Sequence, residues 1–275
     1  MSIANATSPV QLQVQTIFGV RSKLESGLFF VDEHTVIYPA GNQFVLADVE
    51  TKSQRIFRCN ELERVEWMFV HHGAALIALV ATGMNPEKNS TTISFYDLHT
   101  TLGKRKRMFE LRDGPMTITS MAFSHDAKHL AILESGNREY TLSLWFWQKS
   151  RVLATLKLGA AEGVTVLSQI LFHPTDNNLL SVIGRRYCRF IRHLDGNLRL
   201  QPSFAKLDQY DFISHGKNVG ISRWNLLDVF FFLLAWYDST RFIAGTSNGH
   251  VCVLFNGDIQ TEMDVIEGRE RALTG

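Results

Sequence analysis

Short apolar runs alternate with polar turns along most of the chain, and one pattern recurs five times. Each copy begins with an aromatic residue, passes through a polar turn into an apolar run, and then crosses a small-residue turn into a segment of alternating character. Apolar residues at every second position are typical of a half-buried β-strand, and no segment shows a comparable stripe with helical spacing. The pattern predicts an all-β chain with few helices. The aromatic anchors are Phe30, Phe69, Phe123, Phe172 and Trp236.

Each copy predicts two strands, one in the apolar run and one in the alternating segment. The first set comprises residues 35–38, 75–80, 129–133, 179–183 and 241–244. The second set comprises residues 44–49, 92–98, 141–147, 187–194 and 250–255. Asparagine and glycine between the two strands, as in Ser247-Asn248-Gly249, support the tight turns that join antiparallel strands. Aspartate in the polar turn, as at Asp126 and Asp238, is expected to fix the turn by bonding nearby backbone.

The spacing of the anchors indicates the architecture. The anchors are 39, 54, 49 and 64 residues apart, compared with roughly 40 to 45 residues for one WD40 blade and about 50 for a kelch blade. Four-stranded blades arranged radially best explain many short strands at such spacing. We therefore predict an incomplete WD40-like β-propeller of about five blades over residues 17–275, preceded by a disordered tail over residues 1–16. The alternative is a β-sandwich whose turns are periodic by accident.

The longest interval contains a segment that does not fit a blade. Without residues 216–233, which number 18, the last interval becomes 46 residues and falls among the others. Gly216-Lys217 can be encoded by a sequence that contains a 5′ splice signal, and the run Phe230–Leu233 by a pyrimidine-rich tract of the kind that precedes a 3′ splice site. We interpret the segment as a retained intron. The alternative is a genuine disordered loop, because loops longer than roughly 12 to 15 residues are uncommon unless functional or disordered.

Composition narrows the classes of function. Lysine plus arginine number 28 against 27 for aspartate plus glutamate, so a net charge of +1 gives no global attraction to nucleic acid or anionic lipid. Cys59, Cys188 and Cys252 lie far apart and form no CxxC pair, which predicts neither a disulfide framework nor a zinc site. Residues 1–15 lack a secretory signal, and the apolar stretch 224–236 is shorter than the roughly 20 residues that a membrane span needs. We expect a chain of the reducing cytosol.

No combination of residues predicts a catalytic, cofactor-binding or metal site. The sequence contains no GxGxxG or GxxxxGK[ST] motif, so dinucleotide-binding and phosphate-binding loops have no support. His71-His72 and the pair His125, His129 fall in predicted turns, where two ligands do not share a helical face. We expect the aromatic cluster Trp145-Phe146-Trp147 to pack between blades, with binding platform as the alternative.

One charged motif is a candidate binding site. The basic run Lys104-Arg105-Lys106-Arg107 places four positive charges together in a chain that is otherwise nearly neutral. We interpret it as a contact for an acidic protein partner. The alternatives are a solvated blade loop and a run that resembles a nuclear-import signal by chance.

The order of several motifs resembles one known family. These motifs are residues 18–21, 30–33, 37–42, 104–107, 120–124 and 145–147. Together they are similar to the N-terminal propeller of the cilia- and flagella-associated protein 57 family, WD-repeat proteins of motile axonemes. The resemblance extends more loosely from residue 17 to about residue 258, and residues 216–233 are its largest departure. The chain also lacks a Trp-Asp dipeptide, and Gly249-His250 stands at a strand entry instead of a blade start, so its blades are degenerate.

The resemblance implies a non-catalytic scaffold or adaptor of the motile cilium axoneme that attaches or regulates inner dynein arms through protein–protein contacts. It implies axonemal dynein-regulatory components as partners, and a location in the cytoplasm, the cytoskeleton and the axoneme of the cilium or flagellum. The basic run at 104–107 adds tubulin, as a protein with an acidic surface, as a further candidate partner. We expect no cofactor, no metal, no nucleic-acid partner and no membrane partner. The alternatives are a general cytosolic WD-repeat adaptor in an unrelated multiprotein complex and a propeller enzyme, since a fold alone does not define a function.

Overall fold

The computed structural model describes much of the chain as antiparallel β-structure in two compact units, Met1–Arg112 and Asp113–Gly275. Within the described residues no α-helix occurs, and Trp147–Lys149 form a single 3-10 turn. No helix in this part of the chain is both long enough and apolar enough to cross a membrane. The described residues are 16–17, 28–41, 43–58, 63–71, 76–83, 91–98, 105–111, 117–136, 139–159, 166–202, 212–215, 241–246, 250–255, 258–264 and 269–272.

The first unit contains two four-stranded sheets in which each strand pairs with the next one along the chain. The first sheet comprises β1 (Phe29–Phe30), β2 (Thr35–Ala40), β3 (Gln43–Asp48) and β4 (Gln54–Arg58). The second sheet comprises β5 (Glu63–His71), β6 (Leu76–Gly83), β7 (Thr91–Asp97) and β8 (Arg105–Glu110). Sequential antiparallel pairing is expected here because the connecting turns are short.

The two sheets of the first unit share one hydrophobic core. Side chains at alternate positions of the first sheet form one side of this core. Tyr96 of the second sheet packs edge-on against Phe44, with 5.3 Å between the ring centroids. Phe44 also stacks on Phe57 at 4.9 Å. The alternation that places these residues inside leaves the intervening side chains on the opposite face of the first sheet. The buried members of the core are Ile37, Phe44, Leu46, Phe57, Val65, Met68, Ile77, Leu79, Tyr96 and Leu98.

The second unit contains three further antiparallel sheets. The third sheet comprises β9 (Thr117–Phe123), β10 (His129–Ser135), β11 (Glu139–Phe146) and β12 (Arg151–Gly159). The fourth comprises β13 (Leu167–Phe172), β14 (Leu179–Gly184), β15 (Tyr187–Leu194) and β16 (Asn197–Leu200). The fifth has five strands, β17 (Phe212–His215), β18 (Arg241–Thr246), β19 (His250–Phe255), β20 (Asp258–Asp264) and β21 (Arg269–Ala272).

Buried aliphatic residues join the sheets of the second unit face to face. The third and fourth sheets share a cluster that includes Leu133, Leu144, Phe172 and Val182. The fourth and fifth sheets share a second cluster around Phe242, whose ring meets Phe190 edge-on at 5.8 Å. Face-to-face stacking of short sheets explains why most β10 and β14 residues are buried on both faces.

Each predicted strand corresponds to an observed one, and the all-β prediction is confirmed. The strands that begin at Tyr187 and His250 have the predicted bounds, whereas β10 and β14 extend one or two residues further. The strand predicted over residues 141–147 ends at Phe146, because the chain turns into the 3-10 turn at Trp147. Residues 1–15 of the predicted tail and the proposed insertion 216–233 lie outside the described residues.

Candidate protein-binding surface

The basic run lies on β8, the last strand of the second sheet. Arg105, Lys106 and Arg107 are exposed strand residues, and Lys104 lies outside the described residues. β8 pairs with β7 along one side, and within the described residues no strand pairs with its other side. The alternative interpretation of the run as a loop is therefore wrong for these three residues, because they continue the β-ladder. Whether the run binds a partner is a separate question.

An irregularity in the β7–β8 ladder determines where the basic side chains lie. Phe95 pairs with Arg107 and Tyr96 with Arg105, so Lys106 is the extra residue of a β-bulge. A bulge bends an edge strand and redirects its side chains, which also protects a sheet edge from adding strands of other chains. The Lys106 Nζ atom lies 2.7 Å from Asp97 Oδ2. One positive charge of the run is therefore already paired inside the sheet.

The arginines of β8 are suited to contact an acidic surface. A guanidinium group offers several donors in a planar arrangement that matches a carboxylate. The Arg105 guanidinium also donates to Met108 Sδ at 3.5 Å, and Met108 itself is 39% exposed. The exposed side chains of β8 can therefore offer a partner both ion pairs from the arginines and apolar contact from Met108. These residues of β8 can bind a protein partner, but none of them is positioned for acid–base or nucleophilic chemistry.

The turn between β9 and β10 shows how this sequence makes a rigid turn. Ser124 Oγ donates to Asp126 Oδ1 at 2.7 Å and accepts from the His129 amide at 2.9 Å, while the Lys128 amide donates to Asp126 Oδ1 at 3.1 Å. The indole of Trp147 donates to the Ala127 carbonyl at 2.7 Å. The predicted role of Asp126 is confirmed, and Asp238 lies outside the described residues. Side chains of the turn itself and a distant tryptophan therefore both contribute hydrogen bonds that fix this five-residue turn.

The ionisation of this turn follows from its surroundings. Burial tends to raise the pKa of Asp126, but hydrogen bonds from Ser124 and Lys128 and the charge of His129 outweigh burial and lower this pKa below 3.8. Burial lowers the pKa of His129 below 6.5; the carboxylate of Asp126 acts in the opposite direction, and His193 and Lys128 lower it further. Two buried ring nitrogens, His129 Nδ1 and His193 Nε2, have no hydrogen-bond partner. His129 is therefore held as the neutral imidazole near neutral pH.

Polar contacts connect the third and fourth sheets near these turns. The amide of Asp126 donates to Asn177 Oδ1 at 3.1 Å, and the amide of Ile170 donates to Ser120 Oγ at 3.2 Å. Within the fourth sheet, Arg192 forms an ion pair with Asp176 at 2.8 Å. Sequence reasoning missed these contacts, since Asn177 reads only as a turn-forming residue. They fix neighbouring turns relative to each other and so lower the entropic penalty of binding at this end of the sheets.

A second group of basic residues was not predicted from the sequence. Arg185 and Arg186 are exposed in the turn after β14, and Arg186 has a positive φ of 52°. Arg189 lies over the ring of Tyr187, 5.1 Å from its centroid. The signal that could have identified them is their clustering, because three arginines fall within residues 185–189.

Histidines and cysteines of the described residues do not assemble into a metal site. No group of three or more His, Cys, Asp or Glu side chains in this part of the chain is placed to hold a metal ion. His71 ends β5, although the sequence placed it in a turn, and His129 begins β10, where the predicted strand 129–133 also begins. Cys188 and Cys252 are buried cysteines that lie outside any disulfide, and Cys59 lies outside the described residues. Burial, with a further contribution from the Glu262 carboxylate, raises the pKa of Cys252 to about 12, so this thiol is not a nucleophile near neutral pH.

The sequence of this chain is similar to the sequences of several cilia- and flagella-associated proteins. No protein-family model matches the chain. Over 261 residues, or 94% of the chain, it is 24% identical to cilia- and flagella-associated protein 57 of Mus musculus. The predicted resemblance is confirmed. Cilia- and flagella-associated protein 57 C of Tetrahymena thermophila is 25% identical over 75% of the chain, and echinoderm microtubule-associated protein-like 1 of Mus musculus is 25% identical over 76%.

The similarity to cilia- and flagella-associated protein 57 concerns only part of that protein. The chain spans 19% of the length of the mouse relative and 16% of the Tetrahymena one. Among solved structures, a crystal structure of the mitotic checkpoint complex contains a chain with a TM-score of 0.59 and 9% identity, over 96% of this chain and 75% of that one. At such low identity the likeness concerns the fold alone. It confirms the predicted WD40-like β-propeller fold.

Proposed function

We propose that this chain is a non-catalytic scaffold module of the motile cilium axoneme that helps to attach or regulate inner dynein arms through protein–protein contacts. The observation that carries the proposal is the similarity to cilia- and flagella-associated protein 57 over 94% of the chain. Relatives named cilia- and flagella-associated protein 44 and 43 match about three quarters of the chain and support the same location. The proposal concerns the module, which spans a small part of these relatives.

The architecture supports a binding role. Short sheets that stack face to face, with turns held by side-chain hydrogen bonds, present their surface residues with little conformational freedom left to lose. A partner that binds such a surface therefore avoids much of the ordering penalty that a flexible loop would impose. We propose axonemal dynein-regulatory components as the partners that bind the surface formed by these sheets and turns.

We further propose that Lys104, Arg105, Lys106 and Arg107 contact an acidic protein surface, for which tubulin is the leading candidate. The exposure of Arg105, Lys106 and Arg107 on β8 supports the contact. So does the similarity to a relative that is named for its association with microtubules. Lys106 already forms an ion pair with Asp97, so part of its charge is balanced within the sheet.

Retention of the endogenous protein in the axoneme tests the location. The protein is tagged at its own locus in cells that build motile cilia, and the cilia are extracted with detergent. We expect the tagged protein to remain with the axoneme. A fully extracted, diffuse cytosolic signal would overturn the ciliary scaffold and favour a general cytosolic adaptor.

The β8 contact is tested in the same cells with two variants of equal net charge. In the first, Lys104, Arg105, Lys106 and Arg107 are all replaced by Gln. In the matched control, Gln replaces the exposed strand residues Arg151, Lys157, Arg199 and Arg241. The first variant loses the ion pair Lys106–Asp97, and the control loses the ion pair Lys157–Glu139. We expect reduced retention of the first variant only. Equal retention of both would exclude the β8 contact while leaving the scaffold role intact.

A further inference from the structure

The first sheet has one face that the second sheet does not cover. Ile37, Phe44 and Phe57 point toward the second sheet and belong to the shared core. Because side chains alternate along a strand, Tyr38, Val45 and Gln54 project from the opposite face. Tyr38 is only 7% exposed and Val45 is fully buried. Something other than the second sheet therefore covers the middle of this face.

A segment near the N-terminus contributes to that cover through its main chain. The amide of Ile17 donates to Gln54 Oε1 at 2.9 Å, and Gln54 Nε2 donates to the Ile17 carbonyl at 3.2 Å. The Tyr38 hydroxyl donates to the same carbonyl at 3.3 Å and accepts from Gln54 Nε2 at 3.2 Å. Both backbone groups of Ile17 are thus paired, and no donor of this set lacks an acceptor.

The donors and acceptors of this arrangement balance. The carboxamide nitrogen of Gln54 has two hydrogens, which serve the Ile17 carbonyl and the Tyr38 hydroxyl. The Tyr38 hydroxyl has one hydrogen, which serves the second lone pair of the Ile17 carbonyl. The side chains of Tyr38 and Gln54 therefore form hydrogen bonds with the amide and carbonyl of one residue, as the backbone of a neighbouring β-strand would. Recognition of this kind depends on an extended backbone and requires no particular side chain at the bound position.

We propose that Tyr38 and Gln54 form a main-chain clamp for an extended peptide segment, and that the N-terminal segment at Thr16–Ile17 is its resident and reversibly bound occupant. Only the ten residues 18–27 separate Ile17 from Leu28, next to β1, so the tether keeps the segment at a high effective concentration. A few neutral hydrogen bonds suffice to hold a segment that is tethered so closely. Opening of the clamp uncovers an apolar face.

The margins of this face show what opening would expose. Phe30 projects from the same face as Tyr38 and Val45, and it is 50% exposed while the segment is bound. Release of the segment would uncover Tyr38, which contacts Ile17 directly. The clamp thus acts as a removable cover of a binding face, and it is independent of the basic residues of β8.

The clamp is tested by amide hydrogen exchange in the full 275-residue chain. Gln54→Met preserves the length of the side chain and removes both hydrogen-bonding groups. We expect exchange of the Ile17 amide to become about three- to tenfold faster, and an apolar dye to bind more strongly because the face opens. Tyr38→Phe removes one hydroxyl and should produce a smaller effect of the same sign. The control is Gln260→Met, since Gln260 is an exposed strand residue outside this face.

Two results would overturn the proposal. One is an Ile17 amide that exchanges at the same rate in the Gln54→Met chain as in the unaltered chain. The other is an Ile17 amide that exchanges as slowly as the amides of β3 in the unaltered chain, because the segment would then be a permanent part of the core. Should Gln54→Met fail to fold, Tyr38→Phe alone decides, with an unchanged Ile17 exchange rate contradicting the clamp.

Discussion

At the scale of single residues, the turn from Ser124 to His129 shows how local and distant side chains combine. The aspartate at position 126 is a turn former by its own chemistry, since its carboxylate accepts from backbone two residues on. Ala127 follows it in the left-handed region with φ of 55°, a conformation that a residue with a Cβ adopts only under constraint. Trp147, twenty positions away, supplies part of that constraint through its bond to the Ala127 carbonyl.

The substitution Trp147→Phe should therefore destabilise the chain. It removes the indole donor and leaves the Ala127 carbonyl unpaired beside a side chain that is 5% exposed. We expect the free energy of unfolding to fall by about 1 to 3 kcal/mol, measured by chemical denaturation. Trp145→Phe is the control, because Trp145 is only half-buried and its indole donates to Ser143 Oγ two residues away. If Trp145→Phe lowered the free energy of unfolding as much as Trp147→Phe, the result would contradict the role assigned to the bond between Trp147 and Ala127.

The neutral state of His129 should make stability depend on pH. Burial lowers its pKa in the folded chain below 6.5, so the unfolded chain binds the proton more readily. Its contribution to stability is complete above pH 6.5 and is lost as the pH falls from there through the lower folded-state pKa. We expect His129→Gln to flatten the decline in melting temperature below pH 6.5. A decline of unchanged slope in the variant would assign the dependence to other groups.

At the scale of elements, close packing between strands explains features that alternation does not. Gly184 ends β14 opposite Leu167 of β13. A Cβ atom at Gly184 would lie 2.0 Å from the Val166 carbonyl oxygen and 2.6 Å from Leu167 Cα, both of them backbone atoms. The strand can keep its register with β13 only because this residue has no side chain.

Gly184→Ala should disrupt the fourth sheet severely. We expect it to lower the free energy of unfolding by more than about 3 kcal/mol or to prevent folding, because backbone atoms have to move. Gly196→Ala is the matched substitution in the same sheet, where φ is 73° and a Cβ would meet nothing within 4 Å. It should lower the free energy of unfolding by about 1 kcal/mol, which reflects conformational strain alone. Denaturation curves of the two variants check the difference, and similar losses would refute the steric argument.

At the scale of the whole molecule, near-neutral charge limits what electrostatics can do. With a net charge of +1, attraction to an acidic partner has to come from local groups. The exposed arginines of β8 are such a group, and their contribution should depend on ionic strength.

Microtubule cosedimentation of the purified chain should accordingly weaken as salt is added. Raising the ionic strength from about 0.01 M to about 0.15 M shortens the Debye length from about 30 to about 8 Å. We expect binding of the unaltered chain to fall several-fold over this range, and binding of the chain with Gln at positions 104–107 to be weaker and nearly independent of salt. The control with Gln at positions 151, 157, 199 and 241 should behave as the unaltered chain. Identical salt dependence in both variants would remove β8 from the contact.

The sequence by itself determined the strands and their approximate bounds. Alternation and turn residues are local properties, so the strands that begin at Tyr187 and His250 could be placed to the residue, and the role of Asp126 followed from its position in a polar turn. The order of motifs also indicated the relatives, since short motifs in a fixed order survive where overall identity is low. The exposure of Arg105, Lys106 and Arg107 was likewise foreseeable from their charge.

Only the tertiary structure decided which distant groups meet. The contacts of Trp147 with Ala127, Asn177 with Asp126, and Gln54 with Ile17 join positions 20, 51 and 37 residues apart. The bulge at Lys106 and the absence of room beside Gly184 depend likewise on the neighbouring strand. Periodicity assigns a residue to one face of a strand, but it does not specify the register or the element that packs against that face. Those are settled when the sheets come together, because only then do the polar groups find their partners.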